Sequence, residues 1–244
     1  MKWGVVVFPG SNCDQDCVDV LRDVLKQEVV SLWHQETSLQ RCDCVVLPGG
    51  FSYGDYLRTG AIAKFSPIMQ AVSAFAKGGG FILGICNGFQ ILLEAGLLPG
   101  AMLRNTSLRF ICRYVHVKAE RIDSAFTNRC GPGQVLRLPI AHNEGNYFVD
   151  ATTLRLMRKQ GQILLRYSDA DGRLSDAANP NGSVEHIAGI CNAAGNVMGM
   201  MPHPERASEP ELGSTDGRLI FESLIRASES AQPRTRPRSR YALA

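Results

Sequence analysis

The chain has 244 residues, 45% of them hydrophobic and 20% charged, with a formal net charge of +3. That balance fits a globular chain with a sizeable core, and no apolar run approaches the roughly 18 residues of a membrane span. Four arginines between residues 232 and 240 carry the positive excess; without them the net charge is −1, so the body offers no nucleic-acid face.

Residues 3–8 read as a buried first strand ending in Pro9-Gly10, not as a secretory leader, because no small-residue cleavage site follows. Residues 13–27 have helical spacing, with Cys17, Val20, Leu21, Val24 and Leu25 on one stripe. Strands are expected at Val29–Trp33 and Cys44–Leu47, the latter stopped by Pro48-Gly49-Gly50. A helix over Ala61–Lys77 should break or restart at Pro67. Phe81–Ile85 is the fourth strand and Asn87–Ala95 the next helix. Alternation at this spacing predicts an α/β fold: a flavodoxin-like, mostly parallel sheet with helices on both faces. The second half differs. Residues 108–119, 134–141, 161–167, 186–192 and 197–202 read as strands joined by turns, expected as antiparallel additions to that sheet or as a small side sheet. Residues 216–228 form a closing amphipathic helix. One domain over residues 1–230 is expected, followed by a disordered Arg/Pro-rich tail over 231–244.

Nothing marks the chain as secreted, so its eight cysteines are expected reduced, in the cytoplasm, and packed as small hydrophobes except Cys86. Cys42/Cys44 and Cys13/Cys17 lack the common zinc spacing, and no metal site is expected. Cys13 reads as packing behind the first loop, and Asp55 as a solvated loop charge.

Gly84-Ile85-Cys86-Asn87-Gly88 has the form of a nucleophile elbow with sulfur in place of a hydroxyl. Its glycines permit close packing, and the following helix N-terminus favours an anion. The amide of Asn87, with a second from the turn at Gly50, would hold an oxyanion. A thiolate nucleophile needs a base and an orienting group. Among five histidines, His203 is the strongest candidate: it follows an apolar strand in Met201-Pro202-His203-Pro204-Glu205. On extended backbone residues i and i+2 share a face, which puts Glu205 beside the ring. His142 lies in a ligand-loop candidate, while His34, His116 and His186 read as structural or exposed.

Gly84–Gln90 with the later His203-Pro204-Glu205 resembles the class I glutamine amidotransferases. Gly10–Asp14 and the run Gly49–Arg58, which contains Phe-Ser-Tyr-Gly-Asp-Tyr-Leu-Arg, narrow the resemblance to the glutaminase subunits of phosphoribosylformylglycinamidine synthase, over nearly the whole chain to about residue 228. The resemblance implies Cys86 as nucleophile, His203 as general base and acid, Glu205 as its orienter, and Gly50 and Asn87 as backbone donors. It implies substrate contacts from Gln90 and from Glu144 in its loop. It also implies an ATP- and Mg²⁺-using synthetase partner that amidates formylglycinamide ribonucleotide, and a small third subunit. No GxxxxGK[ST] or GxGxxG loop occurs, so no nucleotide cofactor is expected in this chain. The family usually reads His-Gly-Glu-Gly at the 142 loop. Here position 143 is Asn, which tolerates positive φ best among the non-glycine residues. Tyr53, Tyr56 and Arg58 read equally as a packed surface loop, as ligand contacts or as a face for the synthetase. Two rival readings are a stand-alone cysteine hydrolase on the same scaffold (a peptidase or γ-glutamyl hydrolase) and a non-catalytic regulatory subunit.

Overall fold

The computed structural model describes residues 1–231, so most of the arginine-rich tail lies outside the described residues. In chain order, the strands are β1 (Lys2–Val7), β2 (Glu28–Trp33), β3 (Cys44–Leu47), β4 (Phe81–Ile85), β5 (Ala101–Leu103), β6 (Ile111–Ala119), β7 (Val135–His142), β8 (Asn146–Phe148), β9 (Ile163–Ser168), β10 (Ile187–Cys191) and β11 (Val197–Met200). The α-helices are α1 (Asp14–Asp19), α2 (Ile68–Lys77), α3 (Asn87–Glu94), α4 (Ala151–Lys159) and α5 (Arg218–Ala231).

Nine strands form one sheet in the order β2-β1-β3-β4-β11-β10-β9-β6-β7. From β2 to β11 every pairing is parallel, and from β11 to β7 every pairing is antiparallel. The C-terminal strands thus extend the sheet. The side sheet that does occur is a different pair, β5 with β8. Every residue of β3 and Ile82–Ile85 of β4 are buried, as strands covered on both faces must be. α3 packs on β3, β4 and β11, and Trp3 of β1 meets Phe221 of α5 edge-on at 6.2 Å.

Three local departures from the expected elements have chemical causes or visible geometry. The first helix is α-helical only to Asp19; Val20–Val24 then widens to a π turn, in which the Leu25 N–H donates to the Val20 carbonyl five residues back. Pro67 divides the expected Ala61–Lys77 helix into a 3₁₀ turn, Ala63–Phe65, and α2, because it has no N–H to donate. α4 is an element the hydrophobic pattern did not announce. Asp150 caps it, its carboxylate accepting from the Thr152 and Thr153 amides. All eight cysteines are free, and Cys112 departs from the expected packing: it lies on β6 with its side chain exposed.

The parallel register fixes the site. β1, β3, β4 and β11 end at one edge, where ligands of open α/β sheets bind. β4 and β11 are neighbours with Ile85 opposite Met200, and the Cys86 N–H donates to the Met200 carbonyl at 2.8 Å.

Candidate active site

Cys86 leaves β4 with φ 49° and ψ −105°, outside the regions a side-chain-bearing residue ordinarily occupies. Such strain persists only where the surroundings over-determine it. They do so here through glycine: a Cβ at Gly88 would lie 1.8 Å from the Leu47 carbonyl oxygen, and one at Gly84 would lie 2.5 Å from Leu92 Cδ1. α3 therefore sits directly on β3 and β4, and Cys86 occupies its N-cap. The Asn87 N–H, in the first turn, has no intrahelical acceptor.

His203 follows β11, and its N–H donates to the Pro139 carbonyl of β7 at 2.8 Å. Its Nδ1 bonds Glu205 Oε1 at 2.6 Å, with both residues 1% exposed. The pairing arises differently from the expected i, i+2 strand geometry. His203 is extended, but Pro204–Ala207 is a 3₁₀ turn that folds the carboxylate back to the ring. Burial alone would lower the His203 pKa; the negative charges of Glu205 and Cys86, with side-chain contacts to Cys13 and Cys86, outweigh it and hold the imidazole well above its ordinary value.

The three loops at the sheet edge meet. Ser11 bridges to Gly50, and the Cys13 N–H donates to the Gly49 carbonyl at 3.3 Å. Gly50 has φ +137°, and a Cβ there would crowd the Asn12 nitrogen at 2.7 Å. At Gly49 a Cβ would touch His203 Cε1, Cys13 Sγ and Cys86 Cβ at 2.7, 3.1 and 3.4 Å, so this glycine is the floor on which the three side chains converge. Cys13 is more than packing behind a loop. Its sulfur accepts from Arg206 Nη2 at 3.2 Å, while Arg206 Nε donates to Asp16 at 2.9 Å. A cavity of about 560 Å³ opens onto His203, Glu205 and Arg206 between α1 and β7.

On the other side the Asn87 side chain is a hub. Its Oδ1 accepts from the Ser52 N–H at 3.2 Å, and its Nδ2 donates to Gln90 Oε1 at 2.9 Å and Asp55 Oδ1 at 3.3 Å. Gln90 in turn donates to the Glu144 carbonyl at 2.6 Å, so both its amide atoms are engaged. Glu144 Oε2 accepts from Thr59 at 3.0 Å. Asp55 is no solvated charge: it is half-buried, and desolvation, followed by the nearby Glu144 carboxylate, pushes its pKa up to about 6. Arg58 clasps Glu94 of α3 through Nε and Nη2, and the Tyr53 hydroxyl sits between His34 Nδ1 and Ser66 Oγ. Both therefore brace the loop.

The 142–145 loop hangs on Asn105, which sequence patterns did not single out. Its Oδ1 meets His142 Nδ1 at 3.1 Å and accepts the Gly145 N–H at 3.0 Å; its own N–H donates to the Asn143 carbonyl at 2.9 Å. Accepting from both neighbours, Oδ1 fixes the imidazole proton on Nδ1. Asn143 adopts no positive φ, so asparagine is accommodated there without strain. Burial, and then the charge of His203, lowers the His142 pKa to about 4.

Comparison with known proteins places this geometry in a lineage. Residues 1–217 match the CobB/CobQ-like glutamine amidotransferase domain. The phosphoribosylformylglycinamidine synthase subunit PurQ of Koribacter versatilis is 60% identical over 227 residues, covering 93% of this chain and 98% of that protein. The PurQ subunit of Moorella thermoacetica is also 60% identical, covering 92% and 95%. Among solved structures, PurLQS from Thermotoga maritima superposes with a TM-score of 0.82 at 42% identity, covering 93% and 98%. With its elbow at the end of β4 and its His–Glu pair after β11, the chain belongs to the CobB/CobQ-like glutamine amidotransferase family and, within it, to the PurQ subunits of phosphoribosylformylglycinamidine synthase.

Proposed function

We propose that the chain hydrolyses L-glutamine through a cysteinyl thioester and delivers ammonia to a synthetase subunit, which uses ATP and Mg²⁺ to convert formylglycinamide ribonucleotide to formylglycinamidine ribonucleotide in de novo purine biosynthesis. The observation that carries this is the strained Cys86 facing a buried imidazole that Glu205 holds at 2.6 Å. Cys86 passes its proton to His203, and the thiolate Sγ attacks the side-chain amide carbon of glutamine. The amides of Gly50 and Asn87 receive the oxyanion. His203 gives its proton to the departing nitrogen, and ammonia leaves. The neutral imidazole then takes a proton from water, hydroxide attacks the thioester, and glutamate departs as Cys86 regains its proton. Glu205 keeps the ring oriented and balances its charge in both halves. Gln90 and Glu144, on the far side of the elbow, contribute to holding the substrate.

The nucleotide chemistry belongs to the partner. The PurLQS assembly of Thermotoga maritima supports a complex with a synthetase and a small third subunit. A cytoplasmic location accords with this role, and among the described residues no helix is long and apolar enough to cross a membrane. A stand-alone hydrolase is disfavoured by the near full-length similarity to PurQ subunits.

The test is glutamine hydrolysis by the purified chain with and without its synthetase, together with labelling by a glutamine analogue electrophilic at the δ-carbon. Hydrolysis should be low alone and rise in the complex, and the label should attach to Cys86 and be blocked by glutamine. Full activity alone, or unchanged labelling of Cys86→Ser, would overturn the assignment.

A further inference from the structure

Cys13, His203 and Glu205 come from opposite ends of the chain, and each offers one donor atom to a cluster whose members all lie within 4.8 Å of one another. All three are buried, at 2%, 1% and 1% exposure. Two polar atoms in this cluster, His203 Nε2 and Glu205 Oε2, have no hydrogen-bond partner among the described residues. Glutamine hydrolysis gives Nε2 a task but none to Oε2 or to the Cys13 sulfur. Thiolate, imidazole and carboxylate are the ligands Zn²⁺ takes, with bonds of about 2.0–2.3 Å. A donor spread of 4.8 Å slightly exceeds two such bonds end to end, so small side-chain movements close the site. A thiolate and a carboxylate together balance a divalent charge. Arg206, which touches the Cys13 sulfur, already has a second partner in Asp16. The cavity lined by His203, Glu205 and Arg206 supplies the entry path. Ligands so distant in sequence match no spacing motif, which is why no metal site was expected.

We infer that Cys13, His203 and Glu205 form an inhibitory site for a thiophilic divalent cation of the Zn²⁺ class. On binding, the Cys13 S–H leaves Asn12 Oδ1, to which it donates at 3.2 Å, and both it and the His203 imidazolium give up a proton to solvent as the sulfur–metal and nitrogen–metal bonds form. The ion sheds water for the three side chains, and the imidazole–carboxylate pair is withdrawn from Cys86. Metal binding stands independently of the glutaminase reading; only the inhibitory consequence rests on it.

The experiment titrates the full-length chain with Co²⁺ and Zn²⁺ in a Cys112→Ser background, because Cys112 is the exposed cysteine. Co²⁺ bound to a thiolate gives a charge-transfer absorption. One Co²⁺ per chain should produce that band in the background protein and in Cys86→Ser, and the band should vanish in Cys13→Ser and Cys13→Ala. Zn²⁺ affinity should fall at least about tenfold in both Cys13 variants, since even the loss of an outer-shell partner costs that much. Zn²⁺ should stop glutamine hydrolysis by the reconstituted complex, and a chelator should restore it. A band retained without Cys13, or Zn²⁺ binding equally tight in the Cys13 variants, would overturn the site. Metal binding with the predicted ligands in a chain that fails to hydrolyse glutamine would sustain the site and sink only the glutaminase reading.

Discussion

Gly49 sits against the ring of His203: a Cβ there would lie 2.7 Å from Cε1, with Cys13 and Cys86 as the next nearest groups. Gly49 has no positive φ, so alanine suits its backbone and strains only the side chains it meets. Gly49→Ala should therefore fold and yet lose about 10²-fold in kcat, the effect of moving a catalytic group by about an ångström. Circular dichroism with steady-state glutamine hydrolysis checks this; wild-type kcat in a folded variant would refute it.

Gly88 predicts a different failure. Its missing Cβ would fall 1.8 Å from a backbone oxygen of β3, which has no rotamer to yield. Gly88→Ala should cost more than about 4 kcal/mol, at the severe end of single substitutions, and is read by urea unfolding or loss of soluble protein.

Glu205 is the buried partner of His203 and, among the described residues, pairs with no other cation. Glu205→Gln keeps the shape and removes the charge that stabilises the imidazolium. By the logic of a buried acid behind a catalytic imidazole, kcat should fall about 10²–10⁴-fold, with KM changed far less. A pure KM effect would remove Glu205 from the mechanism.

His142 makes stability depend on pH. Its pKa is held at about 4, against 6.5 in the unfolded chain. Below pH 6.5 the unfolded state takes up a proton that the folded state refuses. The stabilisation is complete above 6.5 and is lost as pH falls through 4, on the order of 3 kcal/mol in all. Asp55, raised to about 6, acts in the opposite sense: its contribution is complete below about 3.8 and lost as pH rises through 6. Denaturant unfolding between pH 7 and 4 should show a steeper acid loss in Asp55→Asn and a shallower one in His142→Gln.

Asn87 ties the Ser52–Asp55 turn to the elbow through its side chain. Asn87→Ala strands the Ser52 amide and Gln90 Oε1 without those bonds, at a cost of about 1–3 kcal/mol each where burial persists. Melting temperature should drop, and KM for glutamine should rise as the loop loosens. An unchanged KM would confine Asn87 to its backbone amide.

Much of this was legible in the sequence because local chemistry and tertiary demand agree there. Cys44–Leu47 and Phe81–Ile85 are short apolar runs closed by glycine or by the elbow, and they form strands at those limits. The Cys86, His203 and Glu205 positions follow strands whose ends the parallel register brings together. Cys13 and Asn105 were not legible. Cys13 matters because the β1 loop folds over Gly49, and Asn105 because one amide oxygen serves a ring and a backbone N–H far along the chain. No periodicity encodes either contact. β5 and β8 escaped for a related reason: three residues each are too few to show alternation.

β11 is inserted between β4 and β10, so it alone joins the parallel and antiparallel halves of the sheet. It is also the last of the described strands to leave the ribosome, and His203 lies just beyond its end. On the roles proposed for Cys86 and His203, a nascent chain displays its sulfur without a base until the sheet is zipped shut, and maturation of the fold and onset of amide cleavage become a single event. Truncation between β10 and β11 should leave two unjoined half-sheets and a silent thiol.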